Sequence, residues 1–377
     1  MDWFGSRIQR LINKEDLDRD TIRKMFTQVL EGEQPELQQG AFLAALAAKG
    51  ETAEEIAGAW EAIRELDTIK VELKVDGPIL DNCGTGMDPL KTFNISTTAS
   101  ILAAAGGVVL ARHGARSITS KCGTVDVAEA LGVDVEAGVE VAKKSVEQCG
   151  LGLFNGMSPL VHPKGLFRIL SQIRFGTTLN IAGSLASPIL PHLGVRGVFS
   201  PEMVDRVAEV MREIGYKEAY VFHGFKDDGQ PAMDEISNLG PTIFCRLNER
   251  GHLEKFILEP EELGVKRAKA EELAPAGSPD KEAVGLVRLL AGQANGARQD
   301  AVCLNTAPMF ILARRVEDFK AGVELARELI FSGKGLVKLE EWVSCQNRES
   351  QVGQARFESV LKKAGVSSSD SNSGRSR

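Results

Sequence analysis

Aromatic residues are scarce in this chain of 377 residues, at 6%, and only two of them are tyrosines. No basic stripe with interleaved aromatics is visible, so the stacking platforms of single-strand binders are missing. Basic residues are also outnumbered, 45 Lys+Arg against 52 Asp+Glu, for a net charge of −7. That balance argues against nucleic acid as a partner, because such binding needs a basic field. Any polyanionic substrate must be held by locally placed cations and backbone N–H groups. The six cysteines (Cys83, Cys122, Cys149, Cys245, Cys303, Cys345) form no CxxC pair, and the histidines no HExxH. Neither a zinc site nor a disulfide framework is indicated. Long apolar runs are absent too. The longest uncharged one, Ile101–Ala111, falls short of the roughly 20 residues that a membrane span needs. Arg7, Arg10, Lys14, Glu15 and Asp16 interrupt the N-terminus, so no signal peptide is read and a cytoplasmic location is expected.

What is present, 43% hydrophobic and 26% charged residues, is the balance of an ordinary globular protein with room for two or three domains. The first 75 residues read as helical. Met25, Phe26, Val29 and Leu30 fall near a 3.6-residue period, Leu37–Lys49 is rich in Ala and Leu, and Thr52 with Glu55 matches a capping box. From about Pro78, strand-sized runs (Val108–Ala111, Val195–Phe199, Ala219–His223) alternate with helical segments (Val125–Leu131, Glu140–Gln148, Pro201–Ile214). In the last of these Ser200 is the expected N-cap and Pro201 the first helical residue. This alternation predicts an α/β fold, a mostly parallel sheet covered on both faces beside a small helical domain. Asn248–Gly251 between two β-like runs reads as a hairpin turn, and residues 281–345 return to helix. The expected division is a helical domain over 1–75, an α/β domain over 76–365 and a disordered polar tail over 366–377.

The densest unusual composition lies between Asp81 and Thr124. Gly84, Thr85, Gly86 and Asp88 follow a plausible strand end, where glycine lets backbone approach a ligand. Thr92, Asn94, Ile95, Ser96 and Thr97 open a helix over Thr98–Ala105, whose first N–H groups and dipole favour an anion. Arg112, His113, Gly114, Arg116, Ser117, Thr119, Ser120, Lys121 and Thr124 then place cations among small hydroxyl residues after a further strand. Each piece alone has an ordinary reading as a turn or a cap. Three at consecutive strand ends read as a phosphate and pyrophosphate cradle. Asp234 and Glu235, adjacent carboxylates that project differently, suit a magnesium ion that takes its other ligands from substrate phosphates and water.

In this order, GTGMD (Gly84–Asp88), TFNIST (Thr92–Thr97), RHGAR (Arg112–Arg116) and DEIS (Asp234–Ser237) resemble the signatures of the anthranilate phosphoribosyltransferase family. The resemblance extends over nearly the whole chain to about residue 345. It implies a homodimer joined through helical domains and transfer of ribose 5-phosphate from phosphoribosyl pyrophosphate (PRPP) to an aromatic amine. In the family that amine is anthranilate, and the product feeds tryptophan synthesis. It also implies PRPP contacts at Gly84, Asp88, Thr92, Asn94–Thr97, Arg112–Ser120 and Thr124, and Mg2+ on Ser96, Asp234 and Glu235. No general base is indicated.

Three positions depart from the family pattern. Met87 replaces the third glycine of GTGGD, the one before the aspartate, and Ala115 replaces the asparagine of KHGNR, which in the family helps hold anthranilate. Counting back from Asn180 puts Leu170 where the family has the arginine that meets the anthranilate carboxylate, with Arg168 and Arg174 nearby. An acceptor pocket around Gly84, Ala115 and Leu170 therefore points to an aromatic or heterocyclic amine other than anthranilate, or to anthranilate held by Arg168 or Arg174. Two further readings stay open: a non-enzymatic nucleotide or nucleic-acid binder of the same fold, and a phosphorolytic nucleoside enzyme. The retained Asp234–Glu235 pair speaks against the former.

Overall fold

A computed structural model describes residues 2–116, 122–173, 175–294 and 296–366. Four helices come first: α1 (Trp3–Ile12), α2 (Arg19–Glu31), α3 (Glu36–Lys49) and α4 (Ala53–Leu66). The capping box that opens α4 is present, and the Glu55 carboxylate that completes it also accepts from the Leu17 backbone at 3.0 Å. One buried side chain thus ties the start of α4 to the entry into α2.

The α/β part runs β1 (Leu80–Gly84), α5 (Ile95–Ala105), β2 (Leu110–Gly114), α6 (Thr124–Leu131), α7 (Val139–Cys149), β3 (Leu151–Asn155), α8 (Leu166–Gln172), α9 (Thr178–Leu185), β4 (Leu193–Gly197), α10 (Met203–Glu213), β5 (Glu218–Phe225), β6 (Pro231–Met233), β7 (Thr242–Leu247) and β8 (Leu253–Leu258). Helices α11 (Pro279–Leu290), α12 (Ala297–Leu312), α13 (Phe319–Phe331), α14 (Lys334–Cys345) and α15 (Ser350–Ala364) follow. The strands form one sheet in the order β3-β2-β1-β4-β5-β7-β8, with β6 beside β5. β1 to β5 are parallel, and β7 and β8 are the expected antiparallel hairpin, turned through Asn248–Gly251.

Apolar residues of α5 and α12 fill the core on one face of the sheet. On the other, α2, α4, α9 and α10 share a second core that includes Val198 and Val221. Burial on both faces explains why the strands read as short continuous apolar runs rather than alternating ones. The chain leaves β1 toward β2 and β3, then returns to place β4 on β1's other side. The carboxyl ends of β1 and β4 therefore flank the switch point where open α/β sheets take ligands.

Three local expectations need correction. Ser200 and Pro201 form a turn, with Met203 N–H donating to the Ser200 carbonyl, so α10 is capped by Glu202 instead. β2 ends at Gly114 rather than Ala111, so Arg112 and His113 lie inside the strand. Val366 is buried. Gly365 turns left-handed after α15, and Val366 N–H returns to the Leu361 carbonyl, an apolar residue covering a helix C-terminus. The rest of the expected tail, 367–377, lies outside the described residues.

Candidate functional site

At the carboxyl ends of β1 and β2 lies a cavity of about 240 Å³. Its floor is built by close approach of backbones. A Cβ on Gly84 would overlap the Asp234 carboxylate, and one on Gly197 would overlap the Asp234 carbonyl. The two glycines pair in register across β1 and β4. With both lacking a side chain, the loop after β6 lies across the strand ends and delivers Asp234 and Glu235 into the cavity.

The two carboxylates go separate ways. Asp234 Oδ2 accepts from Gly86 N–H at 2.7 Å, and Glu235 Oε1 accepts from Ser96 N–H, at the start of α5, at 3.2 Å. Burial first, then repulsion from Asp234 and Asp88, raises the Glu235 carboxyl well above its ordinary value. Burial raises Asp234 in the same direction. Asp88 is pushed up to about 7 by burial and then by Asp234, against the pull of Lys91, which bonds it at 3.3 Å. Asp234 and Glu235 line the cavity and Asp88 does not, and two buried carboxylates there form an oxygen-donor pair that fits Mg2+. Among the described residues no three His, Cys, Asp or Glu converge as a complete metal shell. One or two carboxylates supplemented by water and phosphate oxygens is the usual magnesium arrangement.

Gly84, Thr85, Gly86, Thr92, Asn94, Ile95, Ser96, His113, Gly114, Arg116 and Thr124 all line the cavity, as do Ala115 and Leu170. The Thr85 hydroxyl is buried without a hydrogen-bond partner among the described residues, a donor left for a ligand. Helix α5 begins at Ile95, three residues earlier than expected, so Ser96 sits in its first turn.

Arg112 is not brought to the cavity. Strand alternation turns it onto α5, where it donates to the Asn82 carbonyl at 3.1 Å, Thr97 Oγ1 at 3.2 Å and Ser96 Oγ at 3.4 Å. These bonds hold the helix start in place, and Thr97 is buried. Arg168 also faces away, held by Gln39 at 3.2 Å and the Val29 carbonyl at 2.9 Å. Arg174, Ser117, Thr119, Ser120 and Lys121 lie outside the described residues.

Sequence reasoning missed the supports of the cavity's far wall. His113 Nε2 meets His162 Nε2 at 3.0 Å, and burial with the neighbouring histidine pushes His113 down to about 3, leaving it neutral. Asp67, just past α4, accepts from the backbone N–H groups of Lys164, Gly165 and Leu166 and so caps α8. No local pattern could have linked Asp67 to a helix so far along the chain. The buried Asp81–Arg196 pair, 2.7 Å apart, lies below the cavity between β1 and β4.

A sheet switch point carrying a cavity of glycine turns, a helix N-terminus and paired carboxylates fits a transferase that handles a phosphorylated substrate. The a/b-domain model of the glycosyl transferase family matches residues 76–336, and that family's helical bundle domain matches residues 6–66. The anthranilate phosphoribosyltransferase of Desulfosudis oleivorans is 38% identical over 343 residues, covering 90% of this chain and 98% of that one. That of Methanothermobacter marburgensis is 36% identical over 347 residues, covering 90% and 98%. The crystal structure of the anthranilate phosphoribosyltransferase from Thermus thermophilus superposes with a TM-score of 0.80 at 33% identity, covering 90% and 98%. The chain belongs to the anthranilate phosphoribosyltransferase family and is an enzyme of the pentosyltransferase kind.

Proposed function

We propose that the protein transfers ribose 5-phosphate from PRPP to the nitrogen of an aromatic or heterocyclic amine, with Mg2+ held by Ser96, Asp234 and Glu235. The observation that carries this reading is the Asp234–Glu235 pair laid across the strand ends, one carboxylate on the Gly86 loop and the other on the start of α5. In this reading the Thr92–Ser96 segment at the start of α5 offers its hydroxyl and amide side chains to the phosphates, and the unpartnered Thr85 hydroxyl supplies a further donor. Bound Mg2+ supplies positive charge to the departing pyrophosphate. The chain's own part is to fix donors where negative charge develops and to keep water from the ribose C1. Arg112 acts one step back, holding Ser96 and Thr97 in place. Anthranilate is the family's default acceptor, with tryptophan synthesis its pathway. The segment 1–75 is assigned dimerisation, 76–365 PRPP binding, and the working form is a cytoplasmic homodimer. No described helix is long and apolar enough to cross a membrane.

The test is Glu235→Gln, which keeps an acceptor for Ser96 N–H and removes the charge. Pyrophosphate release from PRPP should fall at least a hundredfold, about 2.7 kcal/mol of transition-state stabilisation, with thermal stability retained. Undiminished release would remove the metal assignment.

A further inference from the structure

The side of the cavity away from the carboxylates is apolar. Leu166 and Leu170 of α8 and Leu179 of α9 face it together with Ala115. Met87 closes it from the β1 loop: its thioether lies directly over Gly176, where any Cβ would overlap the sulfur. Arg116 is the one Lys or Arg among the described lining residues, and its charge is already spent. It pairs with Asp126 at 3.2 Å, Glu129 at 2.8 Å and Glu136 at 2.6 Å. His113 is neutral, and Asn180 contributes an amide dipole whose oxygen accepts from Thr177 N–H at 3.0 Å. Among the described lining residues no free cation would meet a carboxylate on the acceptor, whose burial costs more than that of a neutral group of the same shape.

We infer that the acceptor is an uncharged aromatic or heteroaromatic amine, and that Leu170 and Met87 make the pocket select against a carboxylate beside the amine. This deepens the phosphoribosyl-transfer reading and depends on it for the reaction. The amine lone pair forms the new bond to the ribose C1 as the C1–O bond breaks. That bond's electron pair leaves on pyrophosphate, and one N–H proton passes to solvent. The relatives named above act, by name, on an amine that carries such a carboxylate.

The experiment uses two isosteres, 2-aminobenzamide and 2-aminobenzoate, with the full chain, PRPP and Mg2+. Dissociation constants are read from amine fluorescence and turnover from pyrophosphate release. The amide should bind at least tenfold more tightly and be used with at least tenfold higher kcat/KM. Leu170→Arg should reverse the order. Equal or tighter binding of 2-aminobenzoate by the parent overturns the inference, as does a Leu170→Arg variant that folds with an unchanged binding ratio. If pyrophosphate is released with neither amine and PRPP does not bind, the transfer reading fails instead, and the two dissociation constants alone still decide the charge preference.

Discussion

Met87 occupies a backbone conformation that side chains seldom take, with φ of +94°. A left-handed residue other than glycine costs about 1–2 kcal/mol, and glycine in its place forfeits roughly 0.5–1 kcal/mol of unfolded-chain entropy. Because the thioether contact over Gly176 is lost as well, Met87→Gly should leave unfolding stability within about 0.5 kcal/mol of the parent, read from the denaturant midpoint. Met87→Ala keeps the strain and loses the thioether over Gly176, so it should fall below both. An Ala variant as stable as the Gly variant would show that the strain is not relieved at this position. That a residue in a strained turn at the cavity mouth also closes its apolar side is what makes it informative. The sequence marked Met87 as a departure from a glycine pattern, but only the backbone angle and the thioether's position say what the departure does.

At the level of elements, the acceptor wall depends on how α8 is held. This helix is a single short run, Leu166–Gln172, with no side-chain cap of its own. Asp67 supplies the cap from the end of α4, and Gly165 lets the chain press on Leu30, where a Cβ would strike backbone. Asp67→Ala would orphan the N–H groups of Gly165 and Leu166, at a cost of about 2–3 kcal/mol. Because Leu166 and Leu170 ride on this helix, KM for the amine should rise about tenfold while KM for PRPP stays within twofold. Equal rises in both would make Asp67 a general support rather than a positioning residue. The same element shows where sequence reading stops. Phosphate-binding turns at the ends of β1 and β2 are local, so glycine, hydroxyl and carboxylate residues announce them within a few positions. Arg112 was misplaced because ending β2 three residues early put it in a loop, whereas strand alternation sends it under α5. The link from Asp67 to α8 joins residues that no periodicity or spacing relates. The capping box of α4, by contrast, is written in Thr52 and Glu55 and appears as written.

For the molecule as a whole, the sheet stands between two cores, and its switch point gathers negative charge that folding alone does not neutralise. Carboxyls raised in the folded state hold protons that the unfolded chain releases above about pH 4. With Asp88 at about 7 and Glu235 higher than usual, this cluster stabilises the unliganded fold less as pH climbs from 4 toward 7. His113, pushed down to about 3, acts the other way, since stability it contributes is lost as pH falls below about 6.5. Comparing the parent with Glu235→Gln separates the two, because both proteins share the histidine. The parent's melting temperature should drop more between about pH 5.5 and 8 than the variant's. Adding PRPP with Mg2+ removes the repulsion, and a hundredfold excess over Kd contributes about 2.7 kcal/mol to a bound fold. That gain should be largest near pH 8 and shrink toward pH 5.5, where protons compete for the same oxygens. A thermal shift with PRPP and Mg2+ that is equal at both pH values, or equal in Glu235→Gln, would mean that the ligand's charge is met elsewhere in the cavity.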